Sequence, residues 1–148
     1  MPTKNLYTAH ATAIGGREGH AETDDKKVSV DFATPGSGKA GTNPEQLFAC
    51  GYGACFGGAL AHVARLQKID IGTPNIKVDV SLNQGDDGQG NLTFSISAVL
   101  DVQLPALDAA AAEKLVATAH TVCPYSKATK GNIDVQLRVN SRPLSKAA

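Results

Sequence analysis

Cysteine is scarce in this chain, neither sign of charge dominates, and no apolar run reaches the length of a membrane span. The 14 basic and 14 acidic residues give a formal net charge of zero. Like charges never cluster in long blocks, which argues against the basic stripe of a nucleic-acid binder and the polybasic segment of a membrane-surface protein. The predicted partner is a small, largely uncharged molecule, with no nucleic acid and no membrane. No stretch of 18 consecutive apolar residues occurs, so no transmembrane helix is predicted. Residues 1–8 contain no apolar segment of signal-peptide length. Three cysteines form an odd set without the spacing of a disulfide scaffold. These absences together predict a reducing cytoplasm, where a disulfide is transient and catalytic. Neither Cys-x-x-Cys nor His-Glu-x-x-His occurs, and the histidines are His10, His20, His62 and His120. His120 and Cys123, three apart, are a weak pairing at most, so no metal and no other cofactor is predicted. The segment Gly15–Gly19 lacks the pattern of a phosphate-binding loop.

What is present fits one domain over residues 1–148. A chain of this length buries roughly 68–70% of its unfolded surface, enough for a core without disulfide or metal. Val28, Val30 and Phe32 alternate with polar or small neighbours, a period of two. Strands are therefore predicted over 5–14 and 27–33, with turns at Gly15–Gly19 and Asp24–Asp25, as a small antiparallel meander. A loop, 34–41, follows. Asn43 is a candidate N-cap, Pro44 suits the first helical position, and Gln46 stands where a capping box needs it. The predicted helix, 44–68, is about 37 Å long. Its first half is apolar or small on every side, which reads as a helix buried all round. Gly51, Gly53, Gly57 and Gly58 each cost about 1 kcal/mol against alanine in a helix, so they are expected to form a packing face for a second helix or a partner subunit. Strands are predicted over 76–83 and 92–103, as a long hairpin. Asp108 is expected to cap a helix over 109–121. Cys123-Pro124 breaks it, a short helix restarts over about 125–130, and a last strand runs over 132–140. The sum is α+β: two small antiparallel sheets around a long buried central helix.

Two cysteines invite chemistry. Cys55 lies mid-helix, where a cysteine is often just a small buried hydrophobe. Cys123 stands before Pro124 as a candidate N-cap of the short helix, where the positive end of the helix dipole favours a thiolate. Cys50 and Cys55 are five apart, about 140° around a helix. They point to different faces, so an intramolecular disulfide should join one helix cysteine to Cys123.

Several segments then carry a resemblance. Residues 42–48 read Thr-Asn-Pro-Glu-Gln-Leu-Phe, 51–56 read Gly-Tyr-Gly-Ala-Cys-Phe, 122–126 read Val-Cys-Pro-Tyr-Ser, and 131–135 read Gly-Asn-Ile-Asp-Val. With Gly16-Arg-Glu-Gly19, and in this order over nearly the whole chain, the sequence resembles the organic hydroperoxide resistance proteins. These belong to a wider superfamily that includes the osmotically induced peroxidases. The resemblance implies a cysteine-based peroxidase for organic hydroperoxides, with Cys55 as attacking thiol and Cys123 as resolving thiol. It makes Arg17 the cation that stabilises the thiolate and Glu45 the carboxylate that holds Arg17. It implies an intertwined homodimer with sites at the subunit interface, and recycling by a dithiol of the lipoyl type. Position 50 is often a small residue in the family, and Cys50 departs from that.

The chemistry explains why those residue types are needed. Burial in an apolar helix raises a thiol's pKa, so Cys55 needs a cation. Arginine stays charged and offers a fixed fork of donors, and a sheltered arginine needs an anion in turn. Leu47, Phe48, Phe56 and Tyr125 are candidates for an apolar pocket that favours alkyl or fatty-acid hydroperoxides. Other readings of the same residues are a thiol redox sensor, an osmotically induced peroxidase of broader range, and a structural α+β module with inert cysteines.

Overall fold

A computed structural model describes residues 2–145. The chain divides into two compact units, residues 1–47 and 48–148, and the long helix α1 (Pro44–Leu66) runs through the boundary.

The first unit holds three short antiparallel strands in the order β1-β2-β3: β1 (Ala11–Ile14), β2 (His20–Thr23) and β3 (Ser29–Asp31). Ala11 pairs with Thr23 and His20 with Asp31. The β1–β2 connection is a 3-10 turn, Gly16–Glu18. A side chain on Gly19 would run into the Ile14 carbonyl, so the turn closes this tightly only with glycine. The meander is as expected, but its outer strands are shorter. Residues 5–10 have no neighbouring strand to pair with, and β3 stops at Asp31, with Phe32 making only an isolated parallel bridge to Thr42. Among the described residues of this unit, Ala33 alone is a buried apolar residue.

At the start of α1, the Gln46 N–H donates to Asn43 Oδ1 at 2.9 Å. Asn43 thus caps as expected. The Gln46 side chain does not complete a capping box; it accepts from the Thr42 hydroxyl at 2.7 Å. The helix ends at Leu66, where Lys68 turns left-handed (φ 56°) and the Ile69 N–H reaches back to the Ala64 carbonyl at 2.8 Å.

The second unit contains the core. Strands β4 (Asn75–Asp86) and β5 (Leu92–Gln103) form the long hairpin, β6 (Val135–Val139) adds to β5 in parallel, and β7 (Arg142–Pro143) pairs with β6. Asp108 caps α2 (Ala109–Val122) by accepting the Ala111 N–H at 2.9 Å. A short helix, α3 (Pro124–Thr129), follows. Tyr52, Phe56 and Leu60 of α1, Leu100 and Val102 of β5, and Leu115 and Val116 of α2 form one apolar cluster. Each side chain of that size stabilises by about 1.5–3 kcal/mol on burial. The last strand is shorter than the expected 132–140 at both ends: the Asn132 and Ile133 N–H groups turn back to the Thr129 carbonyl at 3.0 and 3.2 Å, and Asn140 and Ser141 turn left-handed (φ 48° and 69°) to make the β6–β7 hairpin.

Three expectations about α1 change. First, α1 is long and apolar enough, by length and composition alone, to cross a membrane: one 18-residue window within it has a mean hydropathy of 1.4. Its alanines, cysteines and large apolar side chains raise that value, while its glycines hold it down. The core helix of a folded protein satisfies the same measure, and Tyr52, Phe56, Leu60 and Val63 are core residues here. Second, the helix is not buried all round within the chain: Cys50, Ala54, Gly58 and His62, spaced by four, stay exposed. Third, its glycines meet different neighbours. A side chain on Gly51 would collide with the Tyr125 ring of α3, while Gly53 and Gly57 receive Val78 and Ile76 of β4. Gly58 faces open space.

Candidate active site

Each candidate residue is placed by a local signal. Cys123 ends α2 and begins α3. Its N–H completes α2 on the Ala119 carbonyl at 2.9 Å, and its carbonyl accepts the first α3 bond, from the Lys127 N–H at 3.0 Å. Pro124 forces it into the extended region between the two helices (φ −64°, ψ 122°). Cys123 is therefore the expected N-cap, but its sulfur makes no capping bond. It points instead at Cys55, with the two sulfurs 3.6 Å apart. Cys123 is fully buried, and Cys55 is half-buried; both are free thiols.

Burial pushes the Cys55 thiol above its ordinary pKa, and the neighbouring Cys123 adds to that. One group acts in the opposite sense: the backbone N–H of Tyr125, which donates to the Cys55 sulfur. Pro124 has no N–H, so the Tyr125 amide is the first that α3 offers. Cys50 is exposed on another face of α1, as its spacing predicts.

Arg17 and Glu45 meet within the first unit. The guanidinium donates twice, Nη1 to Oε2 at 2.8 Å and Nη2 to Oε1 at 2.6 Å. This is the two-pronged pairing that favours arginine over lysine. Glu45 is only 12% exposed, against 45% for Arg17. The guanidinium holds the Glu45 carboxyl below its usual range. The 3-10 turn supplies Arg17 and the first turn of α1 supplies Glu45. The four predicted residues thus form two pairs, one in each unit.

The candidate apolar lining divides. Phe48, Tyr52 and Tyr125 form an aromatic cluster with ring centroids 5.7–5.8 Å apart, and Tyr125 is partly exposed. Phe56 is fully buried beside the His120 ring, so it is core and not lining. Leu47 belongs to the first unit.

One group was not expected from the sequence. Tyr52 hydrogen-bonds Ser126 Oγ at 2.9 Å and Thr129 Oγ1 at 3.2 Å, and His120 Nδ1 reaches Ser126 Oγ at 2.8 Å. The only hint was a lone tyrosine among small residues in α1. His120, considered above for its spacing to Cys123, turns to a hydroxyl. Burial, and after it the charge of Lys130, lowers the His120 pKa. Among the described residues, no three His, Cys, Asp or Glu side chains gather as metal ligands do.

Comparisons with known proteins agree with the motifs. Residues 36–138 match the family described as OsmC-like protein. The organic hydroperoxide resistance protein OhrB of Bacillus subtilis is 49% identical over 137 residues, covering 90% of this chain and 98% of that protein. The organic hydroperoxide resistance protein of Xanthomonas axonopodis pv. citri is 49% identical over 140 residues, covering 92% and 96%. The crystal structure of an organic hydroperoxide resistance protein from Legionella pneumophila superimposes with a TM-score of 0.84 at 45% identity, covering 92% and 98%. The chain belongs to the OsmC-like family, within its branch of organic hydroperoxide resistance proteins.

Proposed function

We propose that this chain is a thiol peroxidase that reduces organic hydroperoxides to alcohols, using Cys55 and Cys123. The observation that carries the reading is the 3.6 Å separation of the two sulfurs, one on a core helix and one at a helix junction. Structural cysteines in an apolar core have no need to face each other. The names of the three relatives described above, each an organic hydroperoxide resistance protein, support the substrate class.

The steps balance without a cofactor. The Cys55 thiolate attacks the distal peroxide oxygen, the O–O bond breaks, and the alkoxide leaves and takes a proton as the alcohol. Cys55 is then a sulfenic acid. The Cys123 sulfur attacks it, the S–O bond breaks, and water leaves with the disulfide formed. An external dithiol, of the lipoyl type in this reading, restores both thiols and is itself oxidised to a disulfide. Burial raises the Cys55 pKa, so the thiolate requires a cation, and Arg17 has that role in this proposal. Glu45 aligns its fork through two charge-assisted bonds. Phe48 and Tyr125 supply apolar and aromatic surface suited to an alkyl or fatty-acid tail.

A homodimer belongs to the same proposal. Leu6, Tyr7 and Ile14 are exposed at 73–87% in a unit with almost no buried side chain of its own, and Leu92 and Phe94 are 61% exposed on the long hairpin. The exposed small-residue stripe of α1 is a further face that a second copy would cover.

The test is consumption of cumene hydroperoxide with dihydrolipoamide as reductant. Wild type should turn over continuously. Cys55→Ser should fall to the background rate. Cys123→Ser should consume one equivalent and stop, and Arg17→Ala should slow the first oxidation at neutral pH. Normal turnover by Cys55→Ser would sink the assignment. A single oxidation by the wild type, with no recycling by any dithiol, would favour a redox sensor.

A further inference from the structure

The reaction above makes no use of the hydroxyl network beside the two cysteines. Tyr52 and Ser126 are fully buried, and Thr129 nearly so. Their hydrogen bonds form one connected chain. The Thr129 hydroxyl lies 3.2 Å from the Ser126 carbonyl, which can only accept, so Thr129 donates there. The Tyr52 hydroxyl bonds both Thr129 Oγ1 and Ser126 Oγ, and Ser126 Oγ also meets His120 Nδ1. Each of the three hydroxyls has a partner, and the chain leaves no buried donor unmade.

The network lies in register with the sulfurs. Tyr52 and Cys55 are three apart on α1, so they are neighbours on its surface. Cys123 and Ser126 are three apart at the start of α3. The Tyr52–Ser126 bond and the Cys55–Cys123 contact are therefore parallel rungs between the same two segments. His120, three residues before Cys123 in the last turn of α2, fastens the other flank of the junction. The Tyr125 N–H that donates to Cys55 belongs to the residue next to Ser126.

We propose that Tyr52, Ser126 and His120 are positioning residues for disulfide formation: their hydroxyl rung holds the α2–α3 junction on α1 so that Cys123 meets oxidised Cys55. The inference rests on the peroxidase reading for its context and deepens it. Two sulfurs 3.6 Å apart must close to about 2.05 Å in a disulfide. That short, directed movement is available only while α3 stays seated. Without the rung, α3 samples positions in which Cys123 is out of reach, and the Cys55 sulfenic acid persists. The attack on peroxide, which precedes any use of Cys123, depends far less on the rung.

The experiment separates the two steps in the full-length protein. Reduced enzyme receives one equivalent of cumene hydroperoxide without dithiol. Loss of peroxide reports Cys55 oxidation, loss of the second thiol reports the disulfide, and dimedone labelling reports waiting sulfenic acid. Tyr52→Phe and Ser126→Ala should consume peroxide at close to the wild-type rate. They should form the disulfide about tenfold more slowly and label with dimedone, as expected when an intramolecular partner is misplaced. His120→Asn, whose amide nitrogen stands near the place of Nδ1, should retain fast closure; His120→Gln should not. Wild-type closure rates in Tyr52→Phe and Ser126→Ala would overturn the proposal. So would equal losses in both steps, or equal behaviour of the Asn and Gln variants, since these mark general packing. If the wild type fails to consume peroxide, the peroxidase reading fails by itself. Diamide oxidation of the same cysteine pair then tests the rung: slower closure in Tyr52→Phe supports it, and unchanged closure overturns it.

Discussion

His20, in the first unit, and His120, in the second, each touch a serine hydroxyl, yet they are pushed in opposite directions. His20 sits 2.7 Å from an Asp31 carboxylate oxygen and 3.4 Å from one of Glu22, with the Ser29 hydroxyl at 3.3 Å. The bond to Asp31, then that to Glu22, raises its pKa. His120 has only neutral hydrogen-bond partners, and burial lowers its pKa. The difference extends to the units themselves. Residues 1–47 satisfy polar groups with countercharges at the surface: Arg17 with Glu45, His20 with Asp31, Lys26 with Glu22. Residues 48–148 satisfy them with hydroxyls inside an apolar core. The half-buried Cys55 thiol lies in the unit whose interior disfavours charge, which is why burial raises its pKa and the Tyr125 N–H works against that rise.

The largest test of this contrast is mechanical. Leu115→Ala removes a fully buried side chain from the second unit and should destabilise the protein by about 2–5 kcal/mol in denaturant unfolding. Ile14→Ala changes a side chain that is 73% exposed in the first unit and should stay within about 0.5 kcal/mol. A large loss from Ile14→Ala would mean that a second copy covers that strand in solution, and it should then weaken the dimer in sedimentation. A smaller effect sharpens the same contrast at helix starts. Asp108→Ala removes the acceptor of the Ala111 N–H and should cost about 1 kcal/mol. Asp108→Asn, which keeps an acceptor oxygen, should recover most of it.

How far the sequence carried these features depends on how local their causes are. The Asn43 and Asp108 caps, the Cys123-Pro124 break and the 92–103 strand each follow from a few adjacent residues, and all were legible. Strand ends were not, because pairing decides them: the strand expected over 5–14 finds a partner only from Ala11 onward. The exposed stripe of Cys50, Ala54 and Gly58 was hidden for a related reason. Apolar composition says that a face can be buried, not that this chain buries it. The cysteine pairing was legible through the family resemblance, since spacing alone left either helix cysteine open. The hydroxyl network had no sequence signature: Tyr52, Ser126 and Thr129 are each ordinary, and only the packing of α3 on α1 makes them one system.

The smallest expected effect compares the two histidines directly. In a histidine-detected NMR titration, His20 should titrate above, and His120 below, the ordinary value of 6.5. Linkage gives the sign for stability. The folded state raises the His20 pKa, so its contribution is complete below 6.5 and is lost as pH rises through the folded value. The folded state lowers the His120 pKa. Its contribution is therefore complete above 6.5 and is lost as pH falls toward the folded value, because the unfolded chain then binds the extra proton. The two slopes oppose each other, so their joint effect on thermal stability between about pH 5 and 8 should be shallow. Asp31→Asn removes the first cause of the His20 shift and leaves His120 untouched. Its thermal stability should then decline more steeply than wild type on acidification. Parallel pH profiles for variant and wild type would show that the Asp31 contact does not hold the proton on His20, and the contrast between charge-paired and hydroxyl-paired histidines would fail at its first example.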